Sequence, residues 1–160
     1  MNDKTYIPEG EQADAPASQI GATLEALAAT IHARRDANEK SYTYLLLNDL
    51  IETPAKKLTE EATEAAFAAK DADYADYFAR EAGEVAVGTE TAEKLDAQAR
   101  DAHNHLRYEA ADVIYHLLVI LERFDITPDE LAAELNMRMT EGERPKGAVL
   151  LPESELNRGK

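Results

Sequence analysis

Residues 56–70 read "KKLTEEATEAAFAAK". Alanines and straight-chain residues make this a strong helix former, with no Gly or Pro to break it. Yet Glu60, Glu61 and Glu64 crowd into five positions, where an ordinary solvated helix intersperses lysines. Like charges at i and i+4 repel each other, so the grouping needs a cause. At about 100° per residue, Leu58, Ala62, Ala65 and Ala69 form a narrow apolar stripe. Glu61 lies about 60° from Leu58, on the edge of that stripe, and Glu64 follows one turn later.

A second segment repeats the oddity. "LRYEAADVIYHLLVILERF", 106–124, is the most apolar stretch of the chain. Within it Glu109, Asp112, Val113, His116 and Ile120 fall within about 100° of arc. Two acids and a histidine thus continue a stripe that elsewhere carries valine and isoleucine. Both helices aim acid pairs at a shared interior or cleft. Carboxylates gathered in a partly dry site must take up protons or be neutralised by cations. Hard oxygen ligands suit Mg²⁺ or Mn²⁺, which bind a few carboxylates and keep waters for phosphate groups. The competing reading is that these are solvated acids of an acid-rich chain, with His116 a satisfied histidine at the core edge.

Composition narrows the classes. The 160 residues suffice for one domain with a core. Gly and Pro number only 7 and 6, which favours helix throughout. The absence of cysteine rules out disulfides, zinc–thiolate sites and a thiol nucleophile. A net charge of −15 argues against nucleic acid or an anionic membrane as partner. No apolar run reaches the roughly 20 residues that span a bilayer. The N-terminus lacks the basic start and apolar centre of a signal peptide. The expectation is therefore a soluble, cytoplasmic protein.

Along the chain, the polar residues 1–18 are expected to form a disordered acidic arm. Ser18 is placed as an N-cap. A helix then follows from Gln19 to about Ala37, with Ile20, Leu24, Leu27, Ala28 and Ile31 at helical spacing. Ser41 or Thr43 caps a short helix that stops before Pro54. The glutamate-rich helix runs from about Pro54 to Asp71. Residues 72–104 carry Gly83 and Gly88, lack a strong apolar stripe, and are expected to be helical in parts and peripheral. The helix with the second acid pair starts at Leu106. "TPDE", 127–130, is a capping box with Pro at the first helical position, opening a last helix that ends near Met139. The tail, 140–160, is expected to be extended, with "GAVLLP" as a possible short strand.

In order, "SYTYLLL", "KKLTEEATEAAFAAK", "YEAADVIYHLLVIL" and "ITPDELAAEL" resemble the phosphoribosyl-ATP pyrophosphohydrolases of histidine biosynthesis, within the all-α, MazG-like NTP pyrophosphatase superfamily. The resemblance spans about Leu24 to Arg138. It implies an all-α helical bundle of four to five helices, completed by dimerisation. The family's metal motif falls on Glu61, Glu64, Glu109 and Asp112, with Mg²⁺ (or Mn²⁺) as the cofactor. Glu60 fills the preceding acidic position, as an added ligand or the general base. The family's lysines correspond to Lys56 or Lys57 and to Lys70, and "SYT" places Ser41 and Tyr42 near the substrate. Lys57 and Lys70 read equally well as solvated helix ends, Lys70 in a C-terminal turn, and Tyr42 as a packing residue. Arg34 and Arg35 are weaker phosphate candidates.

One departure stands out. Forty-four residues separate Glu64 from Glu109, more than the family usually has, so 72–104 reads as an insertion in the domain 19–139. The implied reaction is hydrolysis of the α–β phosphoanhydride of a nucleotide substrate, phosphoribosyl-ATP, to phosphoribosyl-AMP and pyrophosphate. A house-cleaning nucleoside triphosphate pyrophosphatase is the related alternative. A non-catalytic acidic helical interaction module is the alternative of another class. A homodimer or higher assembly is expected, because two protomers bury the apolar faces that one short chain leaves open.

Overall fold

A computed structural model describes residues 19–37, 40–85 and 88–152. It contains five α-helices: α1 (Ile20–Arg35), α2 (Tyr42–Asn48), α3 (Glu52–Val85), α4 (Glu90–Arg123) and α5 (Pro128–Met137), then a 3₁₀ turn at Glu141–Glu143. No strand occurs among the described residues, and 147–152 is irregular rather than the expected short strand. The proposed arm 1–18, the Ser18 cap and the end of the tail, 153–160, lie outside the described residues. No described helix is long and apolar enough to cross a membrane. The chain divides into two compact units, Arg34–Asp125 and Met1–Ala33 with Ile126–Lys160.

The larger unit is built on an antiparallel hairpin of α3 and α4. Their shielded positions follow alternating steps of three and four residues. On α3 these are Pro54, Leu58, Glu61, Ala65, Ala68, Ala72, Ala75, Ala79 and Ala82. On α4 they are Ala92, Leu95, Ala99, Ala102, Leu106, Glu109, Val113, His116 and Ile120. Such a 3–4 alternation keeps one seam facing its partner along a coiled coil. Alanine dominates the distal seam, and small side chains let the two backbones approach closely.

This overturns the expected boundaries. The first long helix does not end near Asp71, and the second does not begin at Leu106. Residues 72–85 and 90–104 are two continuous helical arms with buried Ala72, Ala92 and Ala99, not peripheral fragments. An alanine seam carries little hydropathy, so it leaves a faint stripe in the sequence although its spacing is regular. Lys70 is accordingly in mid-helix, with fifteen residues of α3 beyond it, and not in a C-terminal turn. The return is made with Gly88 at φ 73°, a left-handed conformation that suits glycine. Thr89 then caps α4, its hydroxyl accepting from the Ala92 N–H at 3.3 Å.

The short α2 braces the proximal end of the hairpin. Ser41, not Thr43, is its cap, accepting from the Tyr44 N–H at 3.2 Å. Leu46 and Leu47 are buried. Arg123 of α4 donates to the carbonyls of both at 3.4 and 3.3 Å, satisfying acceptors that the helix end leaves open. Thr43 and the Tyr115 hydroxyl share a hydrogen bond of 2.9 Å. At the close of α4, Arg35 donates to the side chains of Glu122 and Asp125, and these bonds keep its guanidinium firmly protonated. Arg35 is thereby committed to structure.

In the smaller unit the capping box forms as the sequence predicts. Thr127 accepts from the Glu130 N–H, and the Glu130 carboxylate accepts from the Thr127 N–H at 2.7 Å. Those bonds hold the Glu130 carboxyl below its usual range. Asn136 is buried; its amide donates to the Val149 carbonyl at 2.9 Å, and its own carbonyl accepts from Arg144 at 2.8 Å. These bonds tie the start of the tail to α5.

Candidate metal centre

Two acids occupy positions that the seam otherwise gives to apolar side chains. Glu61 of α3 and Glu109 of α4 are 9% and 6% exposed. Asp112, one turn beyond Glu109, flanks the seam on the same side. One carboxylate oxygen from each of Glu61, Glu109 and Asp112 lies within 4.8 Å of the others. That span is close to the roughly 4.2 Å between opposite oxygens around a six-coordinate Mg²⁺. Glu109 Oε2 is buried with no hydrogen-bond partner. A buried, unpartnered carboxylate oxygen beside two further acids is costly unless a cation meets it. The donor set, all hard oxygen, fits a divalent ion of the Mg²⁺ or Mn²⁺ kind.

Cations already present are arranged around this trio. Lys57 Nζ lies 3.0 Å from Glu60 and 3.6 Å from Glu61 Oε1, and Lys56 reaches Glu60 at 3.3 Å. The hydrogen bond to Lys57, and then that to Lys56, pushes the Glu60 carboxyl below its ordinary range, which weakens it as a base. The same Glu60 contact raises Lys57 and keeps it charged. His116 is buried beneath the site, with Nε2 3.8 Å from Glu61 Oε1. Burial lowers its pKa, against the opposing pull of Glu61 and Asp112, which favours the neutral ring. Tyr42 stands edge-on to that ring at 6.1 Å, half exposed, and burial raises its hydroxyl pKa.

The sequence-derived candidates separate clearly. Glu61, Glu109 and Asp112 come together, with Lys57, Glu60 and Tyr42 around them. Glu64 does not join the trio: it is exposed on α3, beside Glu60, Thr63 and Phe67 in an open depression. Lys70 is nine residues beyond Glu61, about 13 Å along the helix axis, and its ammonium lies over the Tyr74 ring at 5.4 Å. The Ser41 hydroxyl is engaged in capping. Sequence reasoning missed His105, whose Nε2 lies 2.9 Å from Glu109 Oε1. The i,i+4 spacing of His105 and Glu109 was the available signal.

A helical hairpin that brings carboxylates from facing helices together defines a class: all-α bundle proteins with an acidic cluster of the kind that could hold a divalent cation. Comparisons with known proteins narrow it. A family model described as phosphoribosyl-ATP pyrophosphohydrolase matches residues 73–139. A phosphoribosyl-ATP pyrophosphatase of Ralstonia pickettii is 36% identical over 120 residues, covering 72% of this chain and 80% of that one. One of Rhodobacter capsulatus is 37% identical over 116 residues, covering 72% and 84%. One of Haloarcula marismortui is 41% identical over 73 residues, covering 43% and 74%. No solved structure matches the chain. The chain belongs to the phosphoribosyl-ATP pyrophosphohydrolase family. The family match contains Glu109 and Asp112 but begins after Glu60, Glu61 and Glu64. What joins Glu61 to the matched acids is the geometry of the hairpin. The match also takes in nearly all of 72–104, the stretch that the sequence presents as an insertion.

Proposed function

We propose that the chain hydrolyses phosphoribosyl-ATP to phosphoribosyl-AMP and pyrophosphate, with a divalent cation, Mg²⁺ in the first place, held by Glu61, Glu109 and Asp112. The observation that carries this reading is the part-buried trio with the buried, unpartnered Glu109 Oε2. Family membership supplies the substrate: the relatives are named for phosphoribosyl-ATP. When bound, the cation would neutralise triphosphate oxygens and the charge that grows on the leaving pyrophosphate.

The protein's own groups have separable tasks. Glu61 and Glu109, locked in the seam by helix packing, hold their carboxylates at fixed positions. Asp112 and, after a change of rotamer, Glu64 close the ligand set from the solvent side. Lys57, charged and oriented by Glu60 and 3.6 Å from Glu61, is a cation placed for a phosphate oxygen. Glu60 serves mainly to hold Lys57, since a carboxylate paired with two lysines accepts a proton poorly. Tyr42 offers a half-exposed ring at the rim for the base or ribose. One water adds across the α–β phosphoanhydride and its two protons leave with the products.

The test is direct. Purified chain with Mg²⁺ should release pyrophosphate from phosphoribosyl-ATP, and far more slowly from dATP or dCTP. Faster release from the deoxynucleotides would assign a general nucleotide pyrophosphatase instead. No release from any of them would leave an interaction module.

A further inference from the structure

One side chain outside the trio reaches a buried acid from the surface. His105 precedes Glu109 by one turn of α4, and its Nε2 lies 2.9 Å from Glu109 Oε1. An ionised carboxylate only accepts, so the ring nitrogen is the donor. The histidine side chain is 59% exposed and the glutamate side chain 8%. The contact therefore differs from an ordinary i,i+4 surface pair, in which water competes for both groups. His103 supplies the contrast. Its Nε2 also lies 2.9 Å from an acid, Asp76 across the hairpin, but there both partners are open to solvent. His116 differs again, since its 3.8 Å from Glu61 is too long for a hydrogen bond.

The two oxygens of Glu109 are thereby unequal. Oε1 has the His105 N–H, while Oε2 is buried and has no partner. We propose that His105 is a specificity-determining residue for the cation: it reserves Oε1, leaves Oε2 as the one ligand atom of Glu109, and so selects Mg²⁺ or Mn²⁺ over Ca²⁺. The inference rests on the reading of Glu109 as a metal ligand.

The chemistry of the ions gives the selection its direction. Mg²⁺ demands near-octahedral geometry at about 2.0–2.1 Å, which one oxygen per carboxylate suits, and it keeps waters in the remaining positions. Ca²⁺ takes roughly six to eight oxygens at about 2.3–2.6 Å, often both from one carboxylate. To chelate through Glu109, an ion must draw on Oε1 as well as Oε2. The donated hydrogen sets a partial positive charge beside Oε1, and turning the carboxylate to free that oxygen breaks the bond. Glu109 is fixed in the seam, so it has little room to turn as a whole. The outer groups that orient a metal ligand tune the metal in this way. A site whose buried glutamate offers one oxygen leaves Ca²⁺ short of ligands and Mg²⁺ satisfied.

Competition of Ca²⁺ against Mn²⁺ on the metal-free full chain, with Mn²⁺ read by electron paramagnetic resonance, tests it. Wild type should prefer Mn²⁺. His105→Leu should reduce that preference ~10-fold or more, with helical circular dichroism retained. His105→Gln, whose amide keeps an N–H donor, should stay within ~3-fold of wild type. The ratio is the readout because a general loosening of the hairpin weakens both ions alike. If His105→Leu loses its helix, His105→Ala takes its place. An unchanged ratio without the imidazole overturns the proposal, as does a His105→Gln that behaves like His105→Leu. Mn²⁺ binding that Glu109→Gln weakens, with a ratio indifferent to His105, removes this role alone. A wild type that binds no Mn²⁺ removes the metal reading and this role with it.

Discussion

The proximal and distal halves of the α3–α4 hairpin share one packing rule and differ in what fills it. Distally the seam holds Ala68, Ala72, Ala92 and Ala99, all buried, with no polar atom to satisfy. Proximally the same positions hold Glu61, Glu109 and His116, also buried, with Glu109 Oε2 and His116 Nδ1 lacking partners. The helix backbone and spacing do not change between the halves. The difference teaches that close alanine packing belongs to the distal half, and that the frame it makes fixes the acids of the proximal half where they repel. Buried like charges cost stability, and the distal half supplies a frame that tolerates the cost.

The sharpest break of this comparison moves an acid into the distal seam. Ala99→Asp should destabilise by about 3–5 kcal/mol, the cost of a buried charge without a partner. Urea unfolding followed by circular dichroism checks it. A cost under ~1 kcal/mol would mean that the two halves are equally permissive. Next in size is the reverse change. Glu61→Gln should lower kcat by about 10²–10³-fold, while its urea midpoint without metal stays level or rises, because a like charge has gone. A steady-state assay paired with that midpoint measures both.

Smaller effects sharpen the proximal half. Lys57→Ala should raise KM for the nucleotide by about 10-fold, near 1.4 kcal/mol, with a smaller change in kcat. Unchanged KM would confine Lys57 to its pairing with Glu60. Ser41→Ala should cost about 1 kcal/mol of stability through loss of the α2 cap. A raised KM with stability intact would instead return Ser41 to the substrate side.

How much of this was legible beforehand follows from side-chain chemistry. Glu61, Glu109 and Asp112 stood out because charge on an apolar stripe is conspicuous in any sequence. The Thr127–Glu130 capping box was readable because both partners lie within one turn. The long arms were not, because alanine scores weakly on hydropathy and Gly83, Gly88 suggested breaks. Gly83 in fact sits inside α3. The Ser41 cap was one of the two that the sequence offered, but the engagement of Arg35, and the choice of Ser41 for capping over substrate, were hidden for another reason. A cap and a cross-helix ion pair use the same polar groups that bind phosphate, and only coordinates tell which partner is there. Glu64 follows Glu61 at the spacing by which Asp112 follows Glu109, yet only Asp112 joins the two seam acids.

The central claim is that α3 and α4 grip a single divalent ion between them. Titration of the metal-free chain with Mn²⁺, read by electron paramagnetic resonance, tests it without reference to turnover. The account predicts one tight site in wild type, weakened at least ~10-fold by Glu61→Gln and equally by Glu109→Gln. Mn²⁺ binding that is unaltered by either substitution would contradict it.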